Sequence, residues 1–324
     1  RVHLGALGVV TEVTLRTVTG THGSSLVHGN LSSLLVGMRL VDGVGEVREL
    51  TGELLEGARV HLGALGVVTE VTLRTVPWFG LEEVCEVLPF EEALERLVGW
   101  AEEEEYVKVW WVPHTDRVVR YVARRSDAPA TLTERGWRAE AALAETVFPA
   151  ILRLGGVFPG LIPWVNRLFM LVNFRPYREV GPYHRMLMVP GAPVHRETEV
   201  AIPLERAADG LRWMRDWMAR TGARVDFLQE VRFGPADAAW MSPSFGRRTC
   251  HLGAYATWSP ETDRYFRAFR EAMAEWGGRP HWGKELELGE VGRWYPEAER
   301  FRALARAWDP EGVLRNALLR AVVG

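Results

Sequence analysis

The sequence predicts an α+β fold, in which helices pack on a largely antiparallel sheet. Short segments with alternating apolar and polar residues predict strands, and longer segments with apolar residues at helical spacing predict amphipathic helices. The order in which the two types follow one another indicates this class. A hydrophobic content of 47% in 324 residues is sufficient for a buried core.

The first quarter of the chain is predicted to form a turn, a short helix and strands around a hairpin. Residues 31–35 predict the helix, and 37–41 and 46–50 predict strands on either side of a turn at 42–45. From Pro77 the pattern changes to longer amphipathic helices that alternate with strands. Helices are predicted at 89–106, 134–154, 161–172, 204–221, 260–276 and 296–307, and strands at 107–112, 117–123, 185–189, 197–202, 224–233 and 251–258.

The chain contains an exact internal duplication. The segment RVHLGALGVVTEVTLRTV occupies residues 1–18 and recurs unchanged at 59–76. Solenoid repeats diverge and come in larger numbers, so two identical copies indicate a recent duplication or a mis-joined gene. The second copy follows predicted strands and runs into Pro77, a natural strand terminator. We therefore expect the second copy to be native and the first to replace something lost.

Composition argues against several classes of function. A net charge of −3 provides no concentrated basic face, so nucleic acid is not an expected partner. Cys85 and Cys250 are far apart, which predicts neither a metal site nor a disulfide framework and suits a reducing, cytoplasmic compartment. No signal peptide is recognisable at Arg1.

The longest apolar stretch runs from Val147 to Phe174. Because Arg153, Arg167, prolines and paired glycines interrupt it, a membrane-spanning helix is not expected. A buried or interfacial hairpin fits this pattern better. Peripheral membrane contact of an otherwise cytoplasmic protein therefore stays open as an alternative.

Two glycine-containing segments are candidates for cofactor contact. In TGTHGSS, at 19–25, small residues and hydroxyls allow backbone N–H groups to approach a phosphate or a polar ring edge. In HLGALGVVTEVTL, at 61–73, two glycines precede a β-branched strand, so a cofactor can lie against bare backbone. On their own, a plain Gly/Ser loop and a bend at a sheet corner explain these two segments equally well.

Charged residues in later segments are candidates for substrate binding. Glu230 and Arg232 alternate within a predicted strand, so both point to one face, where together they can hold a hydroxylated substrate. Lys284, in the segment RPHWGK, can supply positive charge where an oxyanion develops. A weak surface ion pair and an ordinary loop are the alternatives. No Ser–His–acid arrangement is recognisable, which argues against a hydrolase.

The order of these segments is more informative than any one of them. TGTHGS, LGALGVVTEVTL, EVR, WMSP, ATW, RPHWGK and DPEGVLRNALL follow one another through residues 19–324. This series resembles the aldonolactone oxidase and alditol oxidase group of vanillyl-alcohol-oxidase-type FAD enzymes, which includes D-arabinono-1,4-lactone and L-gulonolactone oxidases. RPHWGK, EVR and the C-terminal DPEG with RNA are the most specific of these motifs.

The resemblance implies a two-part, PCMH-type FAD-binding domain and a cap domain that carries the substrate pocket. The implied boundaries are 1–77 for a truncated FAD-binding domain, 78–288 for the cap domain, and 289–324 for C-terminal helices that return to the FAD-binding domain. The residues that match cofactor contacts of the family are Thr19, Gly20, Thr21, His22, Gly23, Ser24, Val68, His281 and Asn316. Those that match its catalytic and substrate-side positions are Glu230, Arg232, Thr257 and Lys284, with no metal.

The implied activity is hydride transfer to FAD from a CH–OH group of a sugar alcohol or of an aldonolactone, of the D-arabinono-1,4-lactone or L-gulono-1,4-lactone type. Ahead of the TGTHG turn, the family carries a GxGHS-like loop that holds the pyrophosphate, often with a His joined covalently to the flavin. This chain has the duplicated strand there, and it also lacks a Ser that alditol oxidases carry just upstream of the turn. The alternative hypothesis is an inactive remnant whose cap domain binds a sugar or a partner without FAD.

Overall fold

The computed structural model describes residues 24–187, 193–287 and 291–324. The smaller of its two sheets has three antiparallel strands in the order β2-β1-β3. These strands are β1 (Leu35–Val41), β2 (Val47–Leu50) and β3 (Val67–Leu73). The second copy of the duplicated segment thus supplies β3, and the first copy lies outside the described residues.

The larger sheet has eight strands in the order β11-β8-β10-β9-β5-β6-β4-β7. They are β4 (Gly80–Pro89), β5 (Tyr106–Trp111), β6 (Arg117–Ser126), β7 (Tyr177–Pro182), β8 (Arg196–Pro203), β9 (Gln229–Gly234), β10 (Thr249–Ala256) and β11 (Arg279–Pro280). Each neighbouring pair of these strands is antiparallel. The prediction of an α+β fold with an antiparallel sheet flanked by helices is therefore confirmed.

The helices begin and end at residues suited to those positions. In chain order they are α1 (Gly52–Ala58), α2 (Phe90–Glu103), α3 (Glu134–Val157), α4 (Ile162–Asn173), α5 (Tyr183–Met186), α6 (Ala207–Thr221), α7 (Pro260–Glu275), α8 (Val291–Trp294), α9 (Ala298–Trp308) and α10 (Ala317–Val323). The Ser259 side chain caps α7 by accepting a hydrogen bond from the Thr262 N–H at 3.1 Å. Gly222 ends α6 with a φ of 70°, a left-handed conformation that glycine adopts readily.

The two faces of the larger sheet differ in chemistry. One face packs against α2, α6 and α7 in the main apolar core, which includes Val109, Val231 and Leu252 from the strands. Because side chains alternate along a strand, the residues between these core positions point to the opposite face. We call that side the polar face and define it by Lys108, Trp110, Glu197, Glu199, Glu230, Arg232, His251 and Tyr255.

A second apolar core joins the smaller sheet to the C-terminal helices. Leu40 and Leu65 pack there with Phe301 and Val322. The DPEG segment anchors this junction, because the buried Asp309 carboxylate accepts hydrogen bonds from the N–H groups of residues 313 and 314 at 2.8 and 3.1 Å. Gly66 allows β3 to approach β1, since a Cβ there would lie 2.4 Å from a backbone oxygen of β1.

Two strand predictions are wrong. Residues 183–186 form the short helix α5 instead of the start of a strand at 185–189, and the neighbouring strand is β7. Residues 188–192 lie outside the described part of the chain. The strand predicted from residue 224 begins only at Gln229, because the preceding residues form a loop in which Asp226 binds Thr257. Periodicity does not separate short apolar runs in strands from those in helices and loops.

His61 and His114 are expected to make the fold sensitive to mild acid. Burial lowers the pKa of each ring from 6.5 to about 4, and nearby arginines add to the shift at His114. Their contribution to stability is therefore fully present above pH 6.5 and is lost as the pH falls from 6.5 towards 4, because the unfolded chain takes up protons first. Urea unfolding midpoints across this range measure the loss. The double variant H61Q/H114Q should show a weaker pH dependence, and an unchanged dependence would contradict the assignment.

Candidate active site

An ion pair between Glu230 and Arg232 lies at the centre of the polar face. Strand β9 carries both residues between β5 and β10, which places Glu230 opposite Trp110 and Arg232 opposite His251. The Arg232 guanidinium donates a short hydrogen bond to Glu230 Oε2 and lies 3.3 Å from the Tyr255 hydroxyl. The side chains of the pair are only 12% and 9% exposed, so this is not the weak surface ion pair of the alternative interpretation.

Neighbouring strands fix the Glu230 carboxylate. Trp110 Nε1 donates to Oε1 and the Tyr255 hydroxyl donates to Oε2, each at 2.9 Å. Burial alone raises the pKa of Glu230, but the charge of Arg232 and the hydrogen bonds from Arg232 and Trp110 outweigh it and hold the pKa below its usual value. The same carboxylate raises the pKa of Arg232. Both groups are therefore charged at neutral pH.

Lys284 reaches the polar face from the turn after β11. Its ammonium forms a short ion pair with Glu197, which lies opposite Tyr255 in the pairing of β8 with β10. Burial raises the pKa of Glu197, but a hydrogen bond from His195 and the charge of Lys284 lower it to about 2. Glu197 Oε1 is buried, and no group in the described part of the chain forms a hydrogen bond with it. The Glu197–Lys284 and Glu230–Arg232 pairs thus flank the Tyr255 side chain.

The RPHWGK segment holds Lys284 in place through its own backbone. The His281 N–H donates to the Glu199 carbonyl at 2.9 Å, and the Lys284 N–H donates back to the His281 carbonyl at 3.2 Å. The Trp282 indole donates to the Met241 carbonyl at 2.8 Å, so this segment meets the WMSP segment. In this structure His281 shapes the turn that presents Lys284.

Ser24, the residue that follows TGTHG in sequence, lies at the polar face. Its carbonyl accepts a hydrogen bond from Val107 in β5 at 2.7 Å, and Ser25 donates to Phe233 in β9 at 3.1 Å. Ser24 is therefore inserted where β5 and β9 separate, beside the strand positions of Arg232 and Lys108. The other predicted members of the turn, Thr19, Gly20, Thr21, His22 and Gly23, lie outside the described residues.

Three further predicted site residues lie at a distance from the central ion pair or have other partners. Thr257 donates its N–H to Asp226 at 3.1 Å and its hydroxyl to the same carboxylate. Val68 is 37% exposed on β3, a strand without a buried residue. Asn316 caps α10 by accepting from the Leu319 N–H at 2.9 Å. These positions stay predictions for substrate and cofactor contact.

Sequence reasoning missed several members of the polar face. Trp110 and Tyr255 look like core aromatics in sequence, yet both bind Glu230. Lys108 is the one charged residue of β5, and Glu197 alternates with Glu199 in β8. That alternation is the available signal, because one charged residue in every second position of a central strand indicates a polar sheet face.

Comparison with known proteins gives a consistent picture. The D-arabinono-1,4-lactone oxidase family model matches residues 71–322. An L-gulono-1,4-lactone dehydrogenase of Mycobacterium tuberculosis is 32% identical over 97% of this chain and 74% of the relative. An alditol oxidase of a Streptomyces species is 32% identical over 93% of this chain and 71% of the relative. An L-gulonolactone oxidase of Scyliorhinus torazame is 30% identical, over 98% of this chain and 75% of the relative.

The fold is also similar to that of solved structures. Cholesterol oxidase from Brevibacterium sterolicum superposes with a TM-score of 0.73 over 96% of this chain and 73% of that protein, at 14% sequence identity. At this identity the similarity is one of fold alone. The chain spans about three quarters of the length of these relatives.

Proposed function

Because the chain belongs to the D-arabinono-1,4-lactone oxidase family of FAD-linked oxidoreductases, we propose that it oxidises a CH–OH group of an aldonolactone, of the D-arabinono-1,4-lactone or L-gulono-1,4-lactone type, or of a related sugar alcohol. One observation carries this proposal: on one polar sheet face Arg232 contacts the Tyr255 hydroxyl, and Lys284, from a segment far away in sequence, pairs with Glu197, the residue opposite Tyr255. Two fixed cations beside a hydroxyl suit a substrate on which negative charge develops.

The residues present fit FAD. Ser24, which follows TGTHG in sequence, lies at the polar face, and β3 leaves Val68 uncovered for contact with a cofactor. The cationic donors Arg232 and Lys284 also suit the negative charge of a reduced flavin. When bound, FAD supplies the acceptor for the hydride that leaves the substrate carbon. Ser24 and Val68 would contribute to holding it, together with the predicted contacts His281 and Asn316.

The polar face would bind and orient the substrate through fixed groups. Arg232 and Lys284 would stabilise the substrate oxygen as it becomes negative, and each is held by its own carboxylate partner. Glu230 fixes Arg232, and its Oε1, which accepts one hydrogen bond from Trp110, keeps capacity to accept from a substrate hydroxyl. The unpartnered Oε1 of Glu197 offers a further acceptor. Thr257 would help to position the sugar, as the family resemblance implies.

Turnover with an artificial acceptor tests the proposed function. The purified chain is incubated with FAD and then mixed with a redox dye and either L-gulono-1,4-lactone, D-arabinono-1,4-lactone or a C5 alditol. We expect dye reduction that requires both FAD and one of these substrates. Retention of sugar binding without FAD binding or dye reduction would instead support the inactive remnant. The redox dye takes the place of the natural electron acceptor, which the proposed function does not specify.

Replacing Lys284 with Met is expected to reduce kcat by roughly 10²–10³, the usual effect of losing one preorganised donor. The variant also leaves Glu197 without its ion-pair partner, so thermal unfolding and FAD content should be measured beside the rate. Lys284→Arg keeps the charge and should retain part of the activity. Turnover of Lys284→Met within a few-fold of wild type would remove this residue from the mechanism.

The second partner that we propose is a membrane surface, which would contact residues 148–173, the apolar hairpin. Within the described ranges, no single helix is both long and apolar enough to cross a membrane. The two helical segments Phe148–Val157 and Pro159–Asn173 are long and apolar enough when taken together, but the chain bends by 118° between them. The large apolar side chains exposed on this hairpin are Leu154, Val157, Phe158, Leu161, Trp164, Leu168, Leu171 and Val172. An apolar surface of this size supports an interaction site.

Charge favours an anionic lipid surface as the occupant. No Asp or Glu occurs between Glu145 and Glu179, whereas four arginines do. The Arg167 guanidinium lies 5.5 Å from the ring centre of the exposed Trp164, so a cation and an interfacial aromatic face solvent together. Tryptophan and arginine at the edge of an apolar patch suit the headgroup region of a bilayer.

Sedimentation with vesicles tests this contact. Wild type should co-sediment with vesicles that contain phosphatidylglycerol and bind less to pure phosphatidylcholine. The variant W164S/L168S/L171S should lose binding, whereas W78S should keep it, since Trp78 and Trp164 are each 69% exposed. Equal co-sedimentation of the two variants, or none with wild type, would refute membrane contact through this hairpin.

A further inference from the structure

A cavity lies on the polar face next to the Glu230–Arg232 pair. Its lining residues are Ser24, Glu83, Tyr106, Val107, Lys108, Tyr121, Ala123 and Leu187. Lys108 lies two residues before Trp110 in β5, and Trp110 donates a hydrogen bond to Glu230. The cavity therefore adjoins the proposed reaction site along a single strand.

Lys108 is a buried cation whose charge acts on Glu83 and Glu230, but within the described residues it forms no ion pair with either. Its side chain is 9% exposed, and its ammonium lies 4.9 Å from the ring centre of Trp110 and 4.6 Å from that of Tyr121. Within the described part of the chain, no carboxylate lies within 4.0 Å of the ammonium and no side chain accepts a hydrogen bond from it. The rings compensate part of the charge, and no described residue accepts a hydrogen bond from the three N–H donors of the ammonium.

Two other polar groups face the same cavity. Ser24 Oγ is fully buried and has no hydrogen-bond partner among residues 24–187, 193–287 and 291–324, although backbone hydrogen bonds to β5 and β9 hold Ser24 and Ser25 in place. Glu83 is buried and accepts a hydrogen bond from Tyr177 at 2.6 Å, while burial raises the pKa of its carboxyl group. Buried groups of this kind are normally satisfied, so an unpaired donor and an unpaired hydroxyl in one cavity indicate a ligand.

We propose that Lys108 and Ser24 form a subsite for the carbonyl end of the substrate, donating hydrogen bonds to the C1 oxygen of a lactone or of the corresponding aldonate. The inference rests on the proposed function and specifies its substrate class. An ammonium can only donate, and a carbonyl or carboxylate oxygen is a better acceptor than an alcohol. The subsite therefore favours lactones and aldonates over alditols, which carry a hydroxyl group at that carbon.

Calorimetric binding to the FAD-loaded protein tests the subsite with L-gulono-1,4-lactone, L-gulonate and the matching hexitol. Lys108→Met should weaken binding of the lactone and the aldonate by about 10-fold or more, the usual effect of losing a hydrogen bond to a charged group. Binding of the hexitol should change much less. Lys108→Arg should recover part of the affinity, and Ser24→Ala should show the same preference with a smaller loss. In steady state, KM for the lactone should rise while kcat changes little.

Two outcomes would overturn the subsite. One is an equal loss for all three ligands in both Lys108→Met and Ser24→Ala, which would indicate a general packing effect. The other is unchanged lactone binding in both variants. Failure of the proposed function is distinguishable, because a protein that never reduces the dye can still show the lactone preference. Conversely, if wild type oxidises the lactone and both Lys108→Met and Ser24→Ala bind it as tightly as wild type does, the subsite is refuted while the proposed function stands.

Discussion

Replacing Arg232 with Met should lower kcat/KM for an aldonolactone by roughly 10²–10³. The guanidinium is held by Glu230, lies 3.3 Å from the Tyr255 hydroxyl and is 12% exposed, so it is preorganised and largely shielded from water. A donor that needs no reorganisation during the reaction stabilises developing negative charge more effectively than a mobile surface group does. Steady-state rates with the redox dye, normalised to FAD content, measure the effect.

Arg248 offers a matched control for this prediction. It also forms an ion pair through a terminal nitrogen, with Glu102 at 2.8 Å, but its side chain is 52% exposed. Arg248→Met should therefore leave kcat/KM close to the wild-type value. If Arg232→Met retains more than a few tenths of the wild-type kcat/KM, Arg232 does not stabilise the developing negative charge.

Replacing Glu230 with Ala should lower the free energy of unfolding by about 3–5 kcal/mol, the range measured when one partner of a buried ion pair is removed. The substitution leaves Arg232 as a buried cation and also removes the acceptor for Trp110 and Tyr255. Urea unfolding of the FAD-loaded protein, or of the free protein in parallel, measures the change.

Two further variants separate charge from packing at this position. Glu230→Gln keeps the shape and one acceptor oxygen, so it should destabilise the protein less than Glu230→Ala. The double variant E230Q/R232M removes both charges and should recover part of the stability lost in the single Glu230 variants. If Glu230→Ala unfolds at the same urea concentration as wild type, removal of one partner of the Glu230–Arg232 ion pair does not lower the free energy of unfolding.

The local part of the fold and of the site could be predicted from sequence. The alternation Glu230-Val231-Arg232 correctly places two charges on one face of β9, because side-chain direction in a strand depends only on parity. Ser259 caps the start of α7 and Gly222 ends α6, and both features depend only on residues close by in sequence. Features of this type need no information about distant parts of the chain.

The non-local part could not be predicted by periodicity. The pair between Glu197 and Lys284 joins residues 87 positions apart and depends on the order of β8, β10 and β11 in the sheet. Trp110 contacts Glu230 only because β5 lies next to β9, and the sequence order of the strands does not indicate that neighbour. The resemblance to a family supplied Lys284 as a candidate, but the partner of its charge came from the three-dimensional structure.

Anaerobic reduction of the bound flavin by L-gulono-1,4-lactone is the sharpest test of whether the polar face around Arg232 and Lys284 binds the substrate for hydride transfer to FAD. We expect the lactone to bleach the flavin absorbance of the wild-type protein. The flavin of the Arg232→Met variant should be bleached roughly 10²–10³-fold more slowly at equal FAD content. Dithionite should bleach both proteins equally. A wild-type flavin that the lactone leaves oxidised, or equal lactone-driven rates in the two proteins, would contradict this role of the polar face.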